Sequence, residues 1–194
     1  QPHLAEQIIE DLVVQNLKTH TRPTPACSSK ILFAHKDSED FNGSFHYRSV
    51  VGKLNYLEKS TRPDLAYAAH QCARFSSQPK KEHGEALRWL GRYLKANKDK
   101  GLILKPIPGR GLEVHVDADF SGNWNREESD DRDTARSRHG FIISYEGCPV
   151  VWKSSLQTEI ALSSTESEYT GLSYALREAI PLMRLLKAVS YTHL

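Results

Sequence analysis

The apolar residues of this 194-residue chain recur every three or four positions up to about residue 96, and every second position over 112–118, before a final helical stretch from residue 169. The first spacing draws a stripe down a helix, and the second packs one face of a strand. A chain written in both periods, helical first and extended afterwards, is expected to fold as α+β. Leu4, Ile8, Leu12, Val13 and Leu17 predict an amphipathic helix over 3–18. The segment 19–45 carries Pro23, Pro25 and Gly43 and reads as a long loop. Tyr47, Val50, Val51, Leu54 and Leu57 predict a second helix that stops near Ser60. Pro63 at a first helical position and Asp64 in the first turn open a third, with Leu65, Ala69, Cys72 and Phe75 inward. Ala86, Leu87, Leu90 and Leu94 predict a fourth over 81–96.

After Gly101 comes a short apolar run, Leu102-Ile103-Leu104, and then a turn over Pro106 to Gly111. Leu112, Val114, Val116 and Ala118 alternate with Glu113, His115, Asp117 and Asp119, the pattern of a strand with one packed face. Gly140–Tyr145 and Val150–Lys153 flank Glu146-Gly147-Cys148-Pro149, a hairpin signal. Ser163-x-x-Glu166 and Thr165-x-x-Glu168 are overlapping capping boxes ahead of a helix with Tyr169, Leu172, Leu176, Ile180, Met183 and Leu186. The expected division is a helical part over 1–100, a β-β-β-α part over 111–189, and an unassigned tail over 190–194.

No apolar run approaches the roughly 18 residues of a membrane span, so no membrane partner is expected. Gln1 is not an initiator Met and no basic-then-apolar leader precedes it, which predicts a piece of something longer. Three distant cysteines without a Cys-x-x-Cys pair favour a reducing compartment over a disulfide framework or a thiolate zinc site. The net charge of +2 is unevenly spread. Between Arg74 and Lys105 nine Lys and Arg face three acids, a local excess of six that suits a polyanion, although charge alone favours a solvated helical face.

A strand, an antiparallel hairpin and a helix can bring Asp117 and Glu168 together at one edge of a sheet. Two carboxylates about 4 Å apart repel by about 4 kcal/mol at an effective dielectric near 20, and so share a proton or recruit a cation. Oxygen donors without nitrogen or sulfur favour Mg²⁺ or Mn²⁺. The plainer alternative is a solvated Asp117 and acids at 166 and 168 that serve only as caps. Asp119 reads as a neighbour of Asp117, and His115 as a surface residue.

Tyr47 to Leu57, then Thr61-Arg62-Pro63-Asp64-Leu65-Ala66, and Arg92-Tyr93-Leu94-Lys95 ahead of Gly101-Leu102, resemble copia-type retrotransposon reverse transcriptase. Asp117-Ala118-Asp119-Phe120-Ser121-Gly122, Ser137 to Phe141, Trp152-Lys153-Ser154 and Ala161 to Tyr169 resemble the ribonuclease H region of the same Pol polyprotein. The resemblance covers nearly the whole chain in order. It implies a reverse transcriptase thumb/connection segment over 1–100, followed by an incomplete ribonuclease H-like unit. It also implies an enzyme that degrades RNA in RNA–DNA hybrids by two-metal hydrolysis, in a polyprotein that carries through to DNA integration.

By motif position, Asp117 resembles the first metal-binding Asp, and Glu168, in Glu-Tyr-x-Gly, resembles the catalytic Glu. Glu166 competes for that role; Glu168 has beside it, in Tyr169, the aromatic that the family's helix buries. Lys80, Lys81, Arg88, Arg92 and Lys95 are the expected contacts to the phosphates of a hybrid or template–primer. The other implied partner is the remainder of the polyprotein, and the setting is intracellular, a cytoplasmic particle or the nucleus. Tyr-x-Asp-Asp, the family's polymerase signature, is absent. The family's third aspartate follows a fourth strand that Ser190 to Leu194 does not resemble. With two ligands missing, the chain is expected to be inactive alone, and a non-catalytic nucleic-acid-binding remnant is the alternative.

Overall fold

The computed structural model describes residues 1–12, 21–27, 31–34 and 37–192, with side chains to Val189. The chain divides into two compact units, Gln1–Leu102 and Ile103–Leu194.

In the first unit, α1 (Pro2–Asp11) buries Ala5, Ile8 and Ile9, with Leu12 just beyond it. Val13 and Leu17 of the expected stripe lie outside the described residues. Helix α2 (Tyr47–Ser60) starts where the His46 ring accepts the Ser49 N–H at 3.2 Å, and buries all five stripe residues. The expected third helix begins later than its proline. Pro63–Leu65 form a 3₁₀ turn, and α3 (Ala66–Ala73) follows, with Leu65, Ala69, Cys72 and Phe75 buried as their spacing predicts.

Helix α4 (Lys81–Ala96) is capped by His83, whose Nδ1 accepts the Lys80 N–H at 2.8 Å while its ring stacks on Phe75 at 4.0 Å. Leu87, Leu90 and Leu94 close a single core with the stripes of α1, α2 and α3.

Asp64 does more than sit in a first turn. Arg62, only 4% exposed, donates from Nε and Nη2 to the two Asp64 oxygens at 2.9 and 2.8 Å, and from Nη1 to the Asn97 carbonyl. The Tyr93 hydroxyl also donates to Asp64, at 2.9 Å. This network ties the turn before α3 to the end of α4. Burial alone would raise the Asp64 carboxyl, but hydrogen bonds from Arg62 and Tyr93 and the Arg62 charge hold it below its usual range.

The second unit is a three-stranded antiparallel sheet in the order β1 (Leu112–Asp119), β2 (Arg138–Tyr145), β3 (Cys148–Leu156), so β1 is an edge. The expected hairpin is present. Glu146 and Gly147 both have positive φ, 49° and 76°, which matches the twist of the flanking strands. Pro149 sits in β3, an edge strand that tolerates the lost donor, next to a register shift at Ile143/Ser144. Between β1 and β2, Asn125 caps a 3₁₀ turn (Arg126–Glu128) and Asp131 caps the one-turn α5 (Arg132–Ala135). Leu102-Ile103-Leu104 joins no strand. Ile103 is 86% exposed, because three apolar residues without a pairing partner cannot fill a ladder.

Helix α6 (Ser164–Thr192) runs past residue 189, the expected end of the helical part. It packs on β1 and β2 through Ser167, Gly171, Ala175 and Ala179, over Val114, Val116, Phe141 and Ile143. A Cβ on Gly171 would meet the His139 Cβ at 3.3 Å, the Ala118 Cβ at 3.6 Å and Val116 Cγ2 at 3.6 Å.

Two predictions follow from this packing. Gly171→Val should cost about 1–3 kcal/mol by overpacking, whereas Gly52→Ala, in α2 with nothing within 4 Å of its new methyl, should gain about 0.5–1 kcal/mol; chemical denaturation of the two variants checks the opposite signs. Asp64→Asn should cost about 2–4 kcal/mol, because it leaves the Arg62 guanidinium buried without its counter-charge; urea unfolding measures it.

Candidate functional site

On β1 the side chains alternate as the sequence requires. Val114, Val116 and Ala118 turn toward α6, while His115, Asp117 and Asp119 are exposed on the other face. Asp119 folds over Gly122, where a Cβ would collide with its carboxylate. This glycine therefore lets the loop after β1 turn beneath the acid. Asp119 pairs across the sheet with Arg138, and Asp117 with Gly140.

Glu166 and Glu168 separate cleanly. The Glu166 N–H donates to Ser163 Oγ at 3.1 Å, half of the first expected capping box, while the Glu166 carboxylate reaches one residue further back and accepts the Leu162 N–H at 2.7 Å. Glu166 is occupied in holding the helix start. Neither Glu168 nor Asp117 takes part in a hydrogen bond or ion pair among the described residues, and both are exposed. The expected burial of Tyr169 does not occur. It is 70% exposed, because it lies two positions from the Ser167–Gly171 stripe and the helix turns it away from the sheet.

Glu168 and Tyr174 lie three residues before and after Gly171 on α6. Tyr174 leans over β2 and β3, stacking on His139 at 4.4 Å and meeting Thr158 at 3.2 Å. Asp117 lies on the face of β1 turned away from α6, the helix that carries Glu168. Among the described residues no three His, Cys, Asp or Glu side chains gather as a metal cluster.

The five cations expected to contact phosphates take different positions. Lys80 pairs with Asp40 at 2.7 Å and Lys81 with Glu39 at 2.9 Å. Arg88 donates to Ser44 and lies 5.4 Å from the Phe45 ring. Arg92 is half-buried beside Trp89, and Lys95 is exposed. Folding thus brings Glu39 and Asp40, remote in sequence, onto the basic start of α4.

Sequence reasoning missed His139. It is buried on β2, with Nε2 3.1 Å from Ser155 Oγ and Nδ1 without a hydrogen-bond partner. Burial, then the charges of Lys153 and Arg138, lower its pKa to about 4. A single histidine within a strand has no periodic signature.

The chain is 32% identical over 193 residues to the Retrovirus-related Pol polyprotein from transposon TNT 1-94 of Nicotiana tabacum, covering 96% of this chain and 14% of that protein. It is 32% identical over 174 residues to the Retrovirus-related Pol polyprotein from transposon RE1 of Arabidopsis thaliana, covering 88% of this chain and 11% of the relative. Secreted RxLR effector protein 161 of Plasmopara viticola is 38% identical over 134 residues, 69% of this chain and 89% of that protein. No family model matches, and no solved structure does. The chain belongs to the family of copia-type retrotransposon Pol polyproteins. It spans about one-seventh or less of the length of the polyproteins it matches. No helix among the described residues is long and apolar enough to cross a membrane.

The lowered His139 pKa sets a pH dependence. Unfolded, this histidine takes a proton near pH 6.5 that the folded chain refuses until about pH 4. Its effect is absent above about pH 6.5, and stability is lost as the pH falls between those values, by about 2 kcal/mol at pH 5. His139→Gln should flatten this part of the pH profile, as thermal melts at pH 7 and pH 5 will show.

Proposed function

We propose that this chain is the thumb/connection segment of a retrotransposon reverse transcriptase, over 1–100, joined to the first part of its ribonuclease H, over 111–189. The parent would cleave RNA in RNA–DNA hybrids. One observation supports this reading: Asp117 and Glu168, at the positions that resemble the family's metal-binding Asp and catalytic Glu, are both exposed and take part in no hydrogen bond or ion pair among the described residues. Two hard oxygen donors with no nitrogen or sulfur beside them suit Mg²⁺ or Mn²⁺, which is commonly held through one or two carboxylates with waters filling the remaining positions. Divalent ions held there would supply a lowered water pKa and stabilise a departing 3′ oxygen. Asp117 and Glu168 would orient them, and the cations of α4 would hold hybrid phosphates by charge without reading sequence. Two acids are fewer than this chemistry uses, so these residues alone are inactive and the rest of the polyprotein supplies the others.

A second reading, a non-catalytic nucleic-acid-binding module, is favoured by the fact that no three His, Cys, Asp or Glu side chains gather into a cluster among the described residues. It gives hybrid binding that falls steeply with salt, is unchanged by Asp117→Asn and needs no metal.

Nuclear magnetic resonance with Mn²⁺ as the probe separates the two. The nuclease reading expects paramagnetic broadening centred on Asp117 and Glu168, lost in Asp117→Asn, with no cleavage of a labelled hybrid in Mg²⁺. Broadening elsewhere, or none, overturns it. Robust cleavage abolished by Asp117→Asn would show instead that two acids suffice.

A further inference from the structure

The helical unit gathers positive charge at a second place, inside a cavity. Arg88 and Arg92 stand four residues apart on α4, so both leave the helix on one face, with Trp89 next to them. Arg22 lays its guanidinium over the Trp89 ring, 3.9 Å from its centre, and the indole N–H donates to the Thr24 carbonyl at 2.9 Å, which fixes the ring. The three arginines and Trp89 line one cavity of about 710 Å³.

Among the described residues two carboxylates share that lining, Glu82 and Glu85, and Glu82 already accepts the Ser38 hydroxyl at 2.6 Å. Arg22 and Arg92 each bury an Nε that has no hydrogen-bond partner among the described residues. Burial, then the neighbouring charges of Arg22 and Arg88, pull Arg92 below the usual guanidinium range. Ile31, Leu32 and Ala68 give the same lining an apolar part.

A cavity of this size, with an apolar wall and a few convergent polar groups, has the form of a small-molecule site. Planar guanidinium forks match the oxygens of a phosphate in pairs, and three of them suit a dianion better than a single carboxylate. We propose that this cavity binds a phosphomonoester carried on an apolar or aromatic body, with the phosphate against Arg22, Arg88 and Arg92 and the body on the Ile31–Leu32–Ala68 wall. The bound dianion satisfies the crowded guanidiniums, which in its absence repel one another. Hydrolysis at Asp117 and Glu168 plays no part in this site.

Calorimetric titration of the whole chain with phenyl phosphate tests it, with the Trp89 indole resonance as a local readout. Saturable one-to-one binding at about 0.1–1 mM is expected, and at least about tenfold weaker binding of inorganic phosphate and of phenol. Arg92→Gln should weaken binding about tenfold or more without lowering the melting temperature, because it relieves repulsion; an arginine with a purely structural role would lower it. Arg22→Gln, off the helix, should weaken binding likewise, and Asp117→Asn should leave it unchanged. Adenosine monophosphate binding as tightly as phenyl phosphate would identify a nucleotide body, and weaker binding a smaller ring; both uphold the site. Equal affinity for inorganic phosphate, affinity unchanged in both arginine variants, or no saturation by about 10 mM overturns the proposal.

Discussion

Helix α6 can lie on its sheet because the side chains beneath it are no larger than serine or alanine. Ser167, Gly171, Ala175 and Ala179 form the contact, and at Gly171 the helix backbone comes within van der Waals reach of Val116, Ala118 and His139. This stripe sets the rotation of the helix about its own axis. A shift of the buried stripe by one residue would turn α6 by about 100° and redirect Glu168 with it. The position of a candidate catalytic group is therefore decided by residues that do no chemistry, through the space they leave empty.

The free edge of β1 carries a second constraint. A strand at the border of a sheet offers unpaired backbone donors and acceptors to any other strand. Asp117 and Asp119 are exposed on that strand, and charged side chains there discourage indiscriminate pairing. Their exposure thus serves solubility whether or not a cation is held.

Much of this was legible in the sequence, and the failures have physical causes. The alternation over Leu112–Asp119, the Glu146-Gly147 turn and the Ser163-x-x-Glu166 cap were readable because each is a local rule: a period of two, a positive φ, a capping hydrogen bond. Tyr169 was misplaced because its burial depends on which stripe faces the sheet, and three stripes of α6 carry apolar residues. The run at Leu102-Ile103-Leu104 lacked any pairing partner that local pattern could reveal. Charge was the hardest to read. Summing along Arg74 to Lys105 cannot register that Glu39 and Asp40 fold back onto Lys81 and Lys80, nor that Arg22 lies over Trp89, 67 positions further along the chain.

Carboxylates in this chain fall into two kinds, and the difference bears on the site more than any motif does. Asp64 is held by Arg62 and Tyr93, and Glu166 by the start of α6. Each is half-sheltered or tied to backbone, and each has its charge answered within the fold, so neither can bind an external cation without undoing structure. Asp117 and Glu168 are answered by nothing among the described residues, yet they remain in water, where an unpaired carboxylate costs little. A fold that needed them for stability would have given them partners, as it did the other two. Their charge stays available to a ligand because no structural interaction has claimed it.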